Sequence, residues 1–184
     1  MVHDPNTQTT RTPRLFVVMG VAGCGKSTIG EMLAQTIGGS FLDGDAFHPA
    51  SNIEKMSRGE ALTDDDRWPW LETFGKEIAM AEGILIGGCS SLKRDYRDCI
   101  TRAAAEPVLF IYLEGSRELI GSRMSQRKGH FMPTSLLDSQ FATLEVPGED
   151  ENSISVNIDA STKTIVQRIV DELDLLNNDG PRAG

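Results

Sequence analysis

Eight consecutive residues, Gly20-Val21-Ala22-Gly23-Cys24-Gly25-Lys26-Ser27, carry glycine, lysine and hydroxyl at the spacing of a phosphate-cradling loop. Glycines let the backbone curl until successive N–H groups point inward at anionic oxygens, and a following helix adds the positive end of its dipole. Lys26 supplies a mobile charge for β- and γ-phosphates and Ser27 a hydroxyl for Mg²⁺, so the stretch from Gly20 through Thr28 is expected to hold a nucleoside triphosphate. Cys24 is expected to offer only its backbone N–H. The competing reading is a glycine-rich turn with an incidental lysine. A second constellation, Asp43-Gly44-Asp45, spaces two carboxylates at i, i+2 across a glycine. One can face the metal held by Ser27 while the other orients an acceptor hydroxyl and takes its proton. The bland alternative is an Asx-type turn with solvated acids.

Chemistry of this kind needs a rigid frame. Leu15-Phe16-Val17-Val18-Met19 reads as a buried strand ahead of the loop, and Ile29, Met32, Leu33 and Ile37 fall at helical spacing after it. Further short apolar or alternating runs at 40–42, 84–86, 108–113 and 154–158 bring the strand count to five. Between them lie helical patterns carried by Leu71, Phe74 and Ile78; by Leu92, Tyr96, Cys99, Ile100 and Ala103; by Leu119, Ile120 and Met124; by Leu136, Leu137, Phe141 and Leu144; and by Ile165, Ile169, Leu173 and Leu176. Alternation of strand and helix predicts a parallel sheet covered on both faces, with ligands at the carboxyl ends of its strands. Two polar stretches, 45–69 and 125–133, read as irregular segments long enough to cover a site.

Composition narrows the function further. A chain of 184 residues fits one domain with a core of its own. The net charge of -9 opposes binding to nucleic acid. Against that background the segment 93–128 is locally cationic, which suits small anionic ligands, although Arg94, Arg102 and Arg117 read as solvated helix faces. Cys24, Cys89 and Cys99 show no CxxC spacing, which argues against a zinc site and for the reducing cytoplasm. No stretch approaches the roughly 18 apolar residues of a spanning helix, so no membrane partner is expected. Residues 1–13 read as a disordered tail, 14–178 as a single domain and 179–184 as a flexible tail.

The run Phe41-Leu42-Asp43-Gly44-Asp45-Ala46-Phe47-His48-Pro49, followed by Asn52, Lys55-Met56, Gly59, Leu62 and Asp64-Asp65-Asp66-Arg67-Trp68-Pro69-Trp70-Leu71, resembles the family of small bacterial-type gluconate kinases. Cys89-Ser90-Ser91-Leu92-Lys93-Arg94-Asp95-Tyr96-Arg97-Asp98 is similar to that family's segment after the third strand. Arg127-Lys128-Gly129-His130-Phe131, Gln140-Phe141-Ala142-Thr143-Leu144-Glu145 and Pro147-Gly148 resemble its lid and the helix that follows.

The resemblance implies a three-layer α/β P-loop kinase fold, a five-stranded parallel sheet flanked by helices with a mobile lid at about 123–134, shared with nucleoside monophosphate kinases and shikimate kinase. It implies ATP and Mg²⁺ as cofactors, D-gluconate as the acceptor phosphorylated at its 6-hydroxyl, and a homodimer. Asp45 becomes the candidate for orienting and deprotonating that hydroxyl, with Asp43 beside Ser27 in the metal's shell. His48, Lys55, Arg67, Ser90, Lys93 and Arg97 would form the gluconate pocket with Asp45, since a sugar acid asks for a guanidinium fork and several small donors and acceptors. Arg67 has a competing reading as an ion pair with Asp64 or Asp66, and His48 as a turn residue before Pro49. Arg123 and Arg127 would sit on the lid over the triphosphate, Arg127 as a catalytic cation with Lys26, while helix-end placement is their simpler explanation. Gly87-Gly88 and Ser91 depart from the family pattern and are expected to thin the packing beneath the third strand's end. The rivals are a kinase of the same fold acting on shikimate or a related polyol acid, and a nucleotide-dependent switch with no small acceptor.

Overall fold

The five apolar runs become five parallel strands: β1 (Leu15–Met19), β2 (Ser40–Asp43), β3 (Leu85–Gly88), β4 (Val108–Glu114) and β5 (Ser153–Asn157). They form one sheet in the order β2-β3-β1-β4-β5. The computed structural model describes residues 13–126 and 134–178. Arg127, most of the expected lid, residues 1–12 and residues 179–184 lie outside them. The helices are α1 (Lys26–Ile37), α2 (Ala50–Ser57), α3 (Asp64–Met80), α4 (Arg94–Ala104), α5 (Arg117–Ser125), α6 (Thr134–Thr143) and α7 (Thr162–Asn178), with a short 3₁₀ turn at Gly44–Phe47.

β1 lies at the sheet's centre, with Leu15 in register with Leu85 on one side and Val108 on the other. All five of its side chains are buried, because helices cover both faces. One core gathers Phe16, Val18, Ile29, Leu33, Ile111, Ile165 and Ile169 under α1 and α7. The other gathers Leu15, Val17, Met19, Leu71, Phe74, Ile78, Ile100 and Phe110 under α3 and α4. The strand order reverses at β1, whose two neighbours are β3 and β4, so the loop leaving β1 opens at the sheet's switch point.

Two expectations are corrected. The stretch 45–69 is largely helical: the 3₁₀ turn and α2 occupy its first part, and α3 begins at Asp64. Thr63 and Asp66 close a capping box there, and three aspartates in the first turn complement the helix dipole. Pro69 continues inside α3 because the surrounding burial of Trp70, Leu71 and Phe74 outweighs one missing backbone hydrogen bond. The glycines at the end of β3 do not thin the packing either. A Cβ on Gly87 would lie 2.7 Å from the Phe74 ring, and one on Gly88 3.1 Å from the Phe41 ring, so the aromatic rings fill the room these glycines leave.

Candidate functional site

The loop after β1 takes the geometry its glycines permit. Gly25 caps α1 in the left-handed region at φ 99°, and its carbonyl accepts from the Ile29 N–H at 2.9 Å. At Gly23, φ is 80° and an added Cβ would fall 2.5 Å from Met124 Cγ, so α5 closes against this side of the loop. Lys26 Nζ is folded back onto the loop, donating to Gly20 O at 3.1 Å and Val21 O at 3.0 Å. Ser27 and Thr28 stand exposed on the first turn of α1. Two amides are already spoken for: Cys24 N–H donates to Val21 O at 3.3 Å, and Ala22 N–H to Gln140 Oε1 of α6 at 2.6 Å. The Cys24 amide therefore closes the loop on itself here, where the sequence reading gave it to the nucleotide. Gly20 N–H donates to Ser90 O at 3.2 Å, tying the loop to the end of β3.

β2 delivers the carboxylate pair. Asp43 Oδ1 accepts from the Asp45 N–H at 3.0 Å, which is the Asx turn offered as the competing reading, and that turn swings the Asp45 side chain out to 80% exposure. Asp45 Oδ1 stands 3.9 Å from His48 Nε2. The imidazole is stacked on Trp70 with ring centres 4.0 Å apart, and Trp70 is itself fixed by donating to Gly44 O at 2.8 Å. Burial holds the His48 pKa below its ordinary value, with the nearby Asp45 charge opposing and the Arg67 charge assisting.

Beside this pair, α3 and α4 build a cationic cluster around one acid. Asp64 accepts from the Tyr96 hydroxyl and from Lys93 Nζ at 3.3 and 3.4 Å, and Arg67 NH1 approaches to 3.7 Å. Arg67 also donates to the Tyr96 hydroxyl at 3.3 Å and to Leu62 O at 2.8 Å. Both cations lie over the Tyr96 ring, at 5.5 and 5.6 Å from its centre. The Tyr96 hydrogen bond is the main cause of a depressed Asp64 pKa. Burial, with Asp64 adding to it, pushes Tyr96 up to about 12. Lys55 bonds Asp66 at 2.7 Å, tethering α2 to α3 and bringing Asp66 to about 2.

The structure brings Asp45, His48, Arg67 and Lys93 together and separates others from them. Arg97 is the clearest correction. It is 1% exposed, with its guanidinium taken by both oxygens of Glu151 at 2.7 and 3.0 Å and by the carbonyls of Ser91 and Leu92. A fork so occupied braces the loop after β3 and is not offered to a sugar acid. Arg123 donates to Ile158 O and Ala160 O, fastening α5 to the turn after β5 in place of reaching for phosphate. Ser90 contributes its carbonyl to the phosphate loop, whereas Ser91 is held at φ 47° with its Oγ buried beside the Cys89 thiol. Sequence reasoning missed Asn52, Asp64 and Gln140 as members of the site. Asn52 left one signal, its place in the run that carries the family resemblance; only the fold shows it buried at 1% exposure while Ile53 and Met56 on the same short helix stay 55% and 44% exposed, an inversion of the usual apolar face.

Among the described residues no three His, Cys, Asp or Glu side chains gather into a metal cage. The exposed Ser27 hydroxyl and Asp43 carboxylate fit Mg²⁺, which takes one or two protein oxygens and completes its shell with phosphate oxygens and water. No helix among the described residues is long and apolar enough to cross a membrane.

Residues 22–174 match the family model described as Shikimate kinase. The chain is 42% identical over 171 residues to the gluconokinase of Gluconobacter oxydans (strain 621H), covering 91% of this chain and 95% of that one. It is 47% identical over 149 residues to the thermosensitive gluconokinase of Escherichia coli (strain K12), covering 78% of each. Its fold superposes on the crystal structure of a gluconokinase from Sinorhizobium meliloti 1021 with a TM-score of 0.84 at 43% identity, over 92% of this chain and 96% of the other.

Proposed function

The chain belongs to the gluconokinase family, and on that premise we propose that it transfers the γ-phosphoryl group of ATP to the 6-hydroxyl of D-gluconate, giving 6-phosphogluconate and ADP. The observation that supports the reading is a cluster of donors outside the phosphate loop, where Arg67, Lys93 and the Tyr96 hydroxyl converge on the Asp64 carboxylate. A nucleotide switch has no use for it. The donors are thus already arranged around a carboxylate, and Arg67 acts electrostatically on His48, so the acid end of a short polyol can sit at this cluster while its far hydroxyl reaches Asp45 and His48.

Within that arrangement Asp45 accepts the proton of the 6-hydroxyl as its oxygen attacks the γ-phosphorus, and the P–O bond to the β-phosphate oxygen breaks with its electrons leaving on ADP. Lys26 exchanges its loop carbonyls for the β- and γ-phosphates, placing positive charge where negative charge develops. Mg²⁺ held by Ser27 and Asp43, when bound, would neutralise phosphate charge. His48, Ser90 and Arg127 remain part of this proposal, His48 as a donor to the acceptor hydroxyl, while Lys55 serves as the tether of α2 and Arg123 as the brace of α5.

The proposal extends to a homodimer, to the cytoplasm as compartment, and to one kinase domain over 14–178 with a lid at 123–134. Three free, buried cysteines support the compartment. Phosphorus NMR of a mixture of protein, Mg²⁺, ATP and D-gluconate tests the reaction. A new phosphomonoester resonance coupled to the C6 methylene protons is expected; ATP consumption without that resonance contradicts it.

A further inference from the structure

The Asn52 amide sits where its orientation is dictated. Its Nδ2 donates to Asp66 O at 2.9 Å and lies 3.3 Å from His48 Nδ1. A carbonyl oxygen only accepts, so the face turned to Asp66 must be the NH₂ group; the flipped amide would set two oxygens against each other. An NH₂ group carries two hydrogens. One goes to Asp66 O and the other points at His48 Nδ1, which must then be a lone-pair nitrogen. In a neutral imidazole the remaining hydrogen stands on Nε2, the atom 3.9 Å from Asp45 Oδ1.

We propose that Asn52 is a positioning residue of the phosphoryl-transfer site: it holds His48 as the neutral Nε2–H imidazole, so that this hydrogen is presented to the acceptor hydroxyl that Asp45 orients. The inference rests on the kinase reading above for its consequence and on geometry alone for the tautomer. At 3.9 Å, Nε2 and the carboxylate are too far apart to bond each other, yet both lie within hydrogen-bond reach of one oxygen placed between them. A hydroxyl there donates to Asp45 and accepts from His48.

The surroundings support a fixed ring. The His48 side chain is 7% exposed and stacked on Trp70 from α3, and Asn52 itself is 1% exposed on α2. The charges that face His48 are Asp45 from the 3₁₀ turn, which favours the imidazolium, and Arg67 from α3, which opposes it. The nearby Lys55 and Asp66 pair with each other. Burial is the largest influence and favours the neutral ring, and an added proton would have to enter on Nδ1, against the Asn52 N–H.

Nitrogen NMR of the full chain with ¹⁵N-labelled histidine, the His48 resonances assigned by their loss in His48→Gln, reads the tautomer directly. The expected spectrum at neutral pH shows His48 with a protonated Nε2 and a bare Nδ1, and in Asn52→Asp, whose carboxylate accepts from Nδ1–H, Nδ1 becomes protonated. A wild-type protein with hydrogen on Nδ1 overturns the proposal, and this result needs no folded Asn52 variant. In Asn52→Ala, kcat at neutral pH should fall on the order of tenfold, with the KM for ATP unchanged and the acidic limb of the kcat profile moved to higher pH. A loss of the same factor at every pH, with the tautomer unchanged, marks Asn52 as structural only and also overturns it. Absence of gluconate turnover in the wild type strikes the kinase reading instead and leaves the tautomer result standing.

Discussion

The phosphate loop and the wall made by α2, α3 and α4 both hold cationic side chains in place, but they do it with different materials. The loop works through backbone geometry: Gly23 and Gly25 occupy positive φ, and the loop's own carbonyls hold Lys26 until a ligand replaces them. The wall works through side chains from the neighbouring helices α2 and α3 and from α4 further along the chain, with Lys93 and the Tyr96 hydroxyl converging on Asp64. A backbone site depends on a few adjacent residue types and tolerates little else; a side-chain site depends on which of several similar residues the fold turns inward.

Breaking the loop should cost most. Lys26→Met is expected to lower kcat by roughly 10²-fold or more with the fold intact, because the lost charge acts mainly on the transition state. A folded variant with unchanged steady-state turnover removes Lys26 from the mechanism. Asp45→Asn probes the junction between the two regions. It should lower kcat on the order of 10²-fold while the KM for ATP stays near its wild-type value. If nucleotide binding collapses in a titration, Asp45 belongs with Ser27 and Asp43 at the metal.

On the proposed reading the wall divides into residues that bind and residues that brace, and stability measurements separate them. Glu151→Ala strands the buried Arg97 guanidinium, whose side chain is 2% exposed against 10% for Glu151, and is expected to lower unfolding free energy by about 3 kcal/mol in denaturant melts. Gluconate kinetics of the folded fraction should change little, whereas Arg67→Ala should raise the KM for gluconate severalfold with little loss of stability. Arg97 holds the Glu151 pKa below its ordinary value of 4.5, so this contribution is complete above that value and is lost as pH falls through the lower folded-state pKa. Acid melts of Glu151→Gln should therefore lack the loss in that range that the wild type shows. The smallest effect is expected for Tyr96→Phe, which removes one donor from the cluster and should raise the KM for gluconate a fewfold with kcat kept.

How much of this was legible follows the same division. Five strands, the loop and the Asp43–Asp45 pair could be read because runs such as Leu15–Met19 and spacings such as Gly25-Lys26-Ser27 are local. Arg67 and Arg97 could not be told apart in the same way. Each precedes or enters a helix near acidic residues, yet one faces the cluster and the other is buried against Glu151, more than fifty positions away. The helices within 45–69 were obscured by three successive aspartates and Pro69, which read as a loop until Thr63 is seen capping them. Gly87 and Gly88 read as a deficit because the Phe74 and Phe41 rings that fill them come from other elements.

In the proposed division of labour the side-chain wall selects the acceptor while the loop serves any phosphate donor chemistry of this fold. This division is tested most directly by coupled ADP release from ATP and Mg²⁺ against D-gluconate, shikimate, other aldonates and nucleoside monophosphates. Strong stimulation by gluconate above every other acceptor is the predicted result. Release that is independent of any acceptor, or strongest with shikimate or a nucleoside monophosphate, would contradict it.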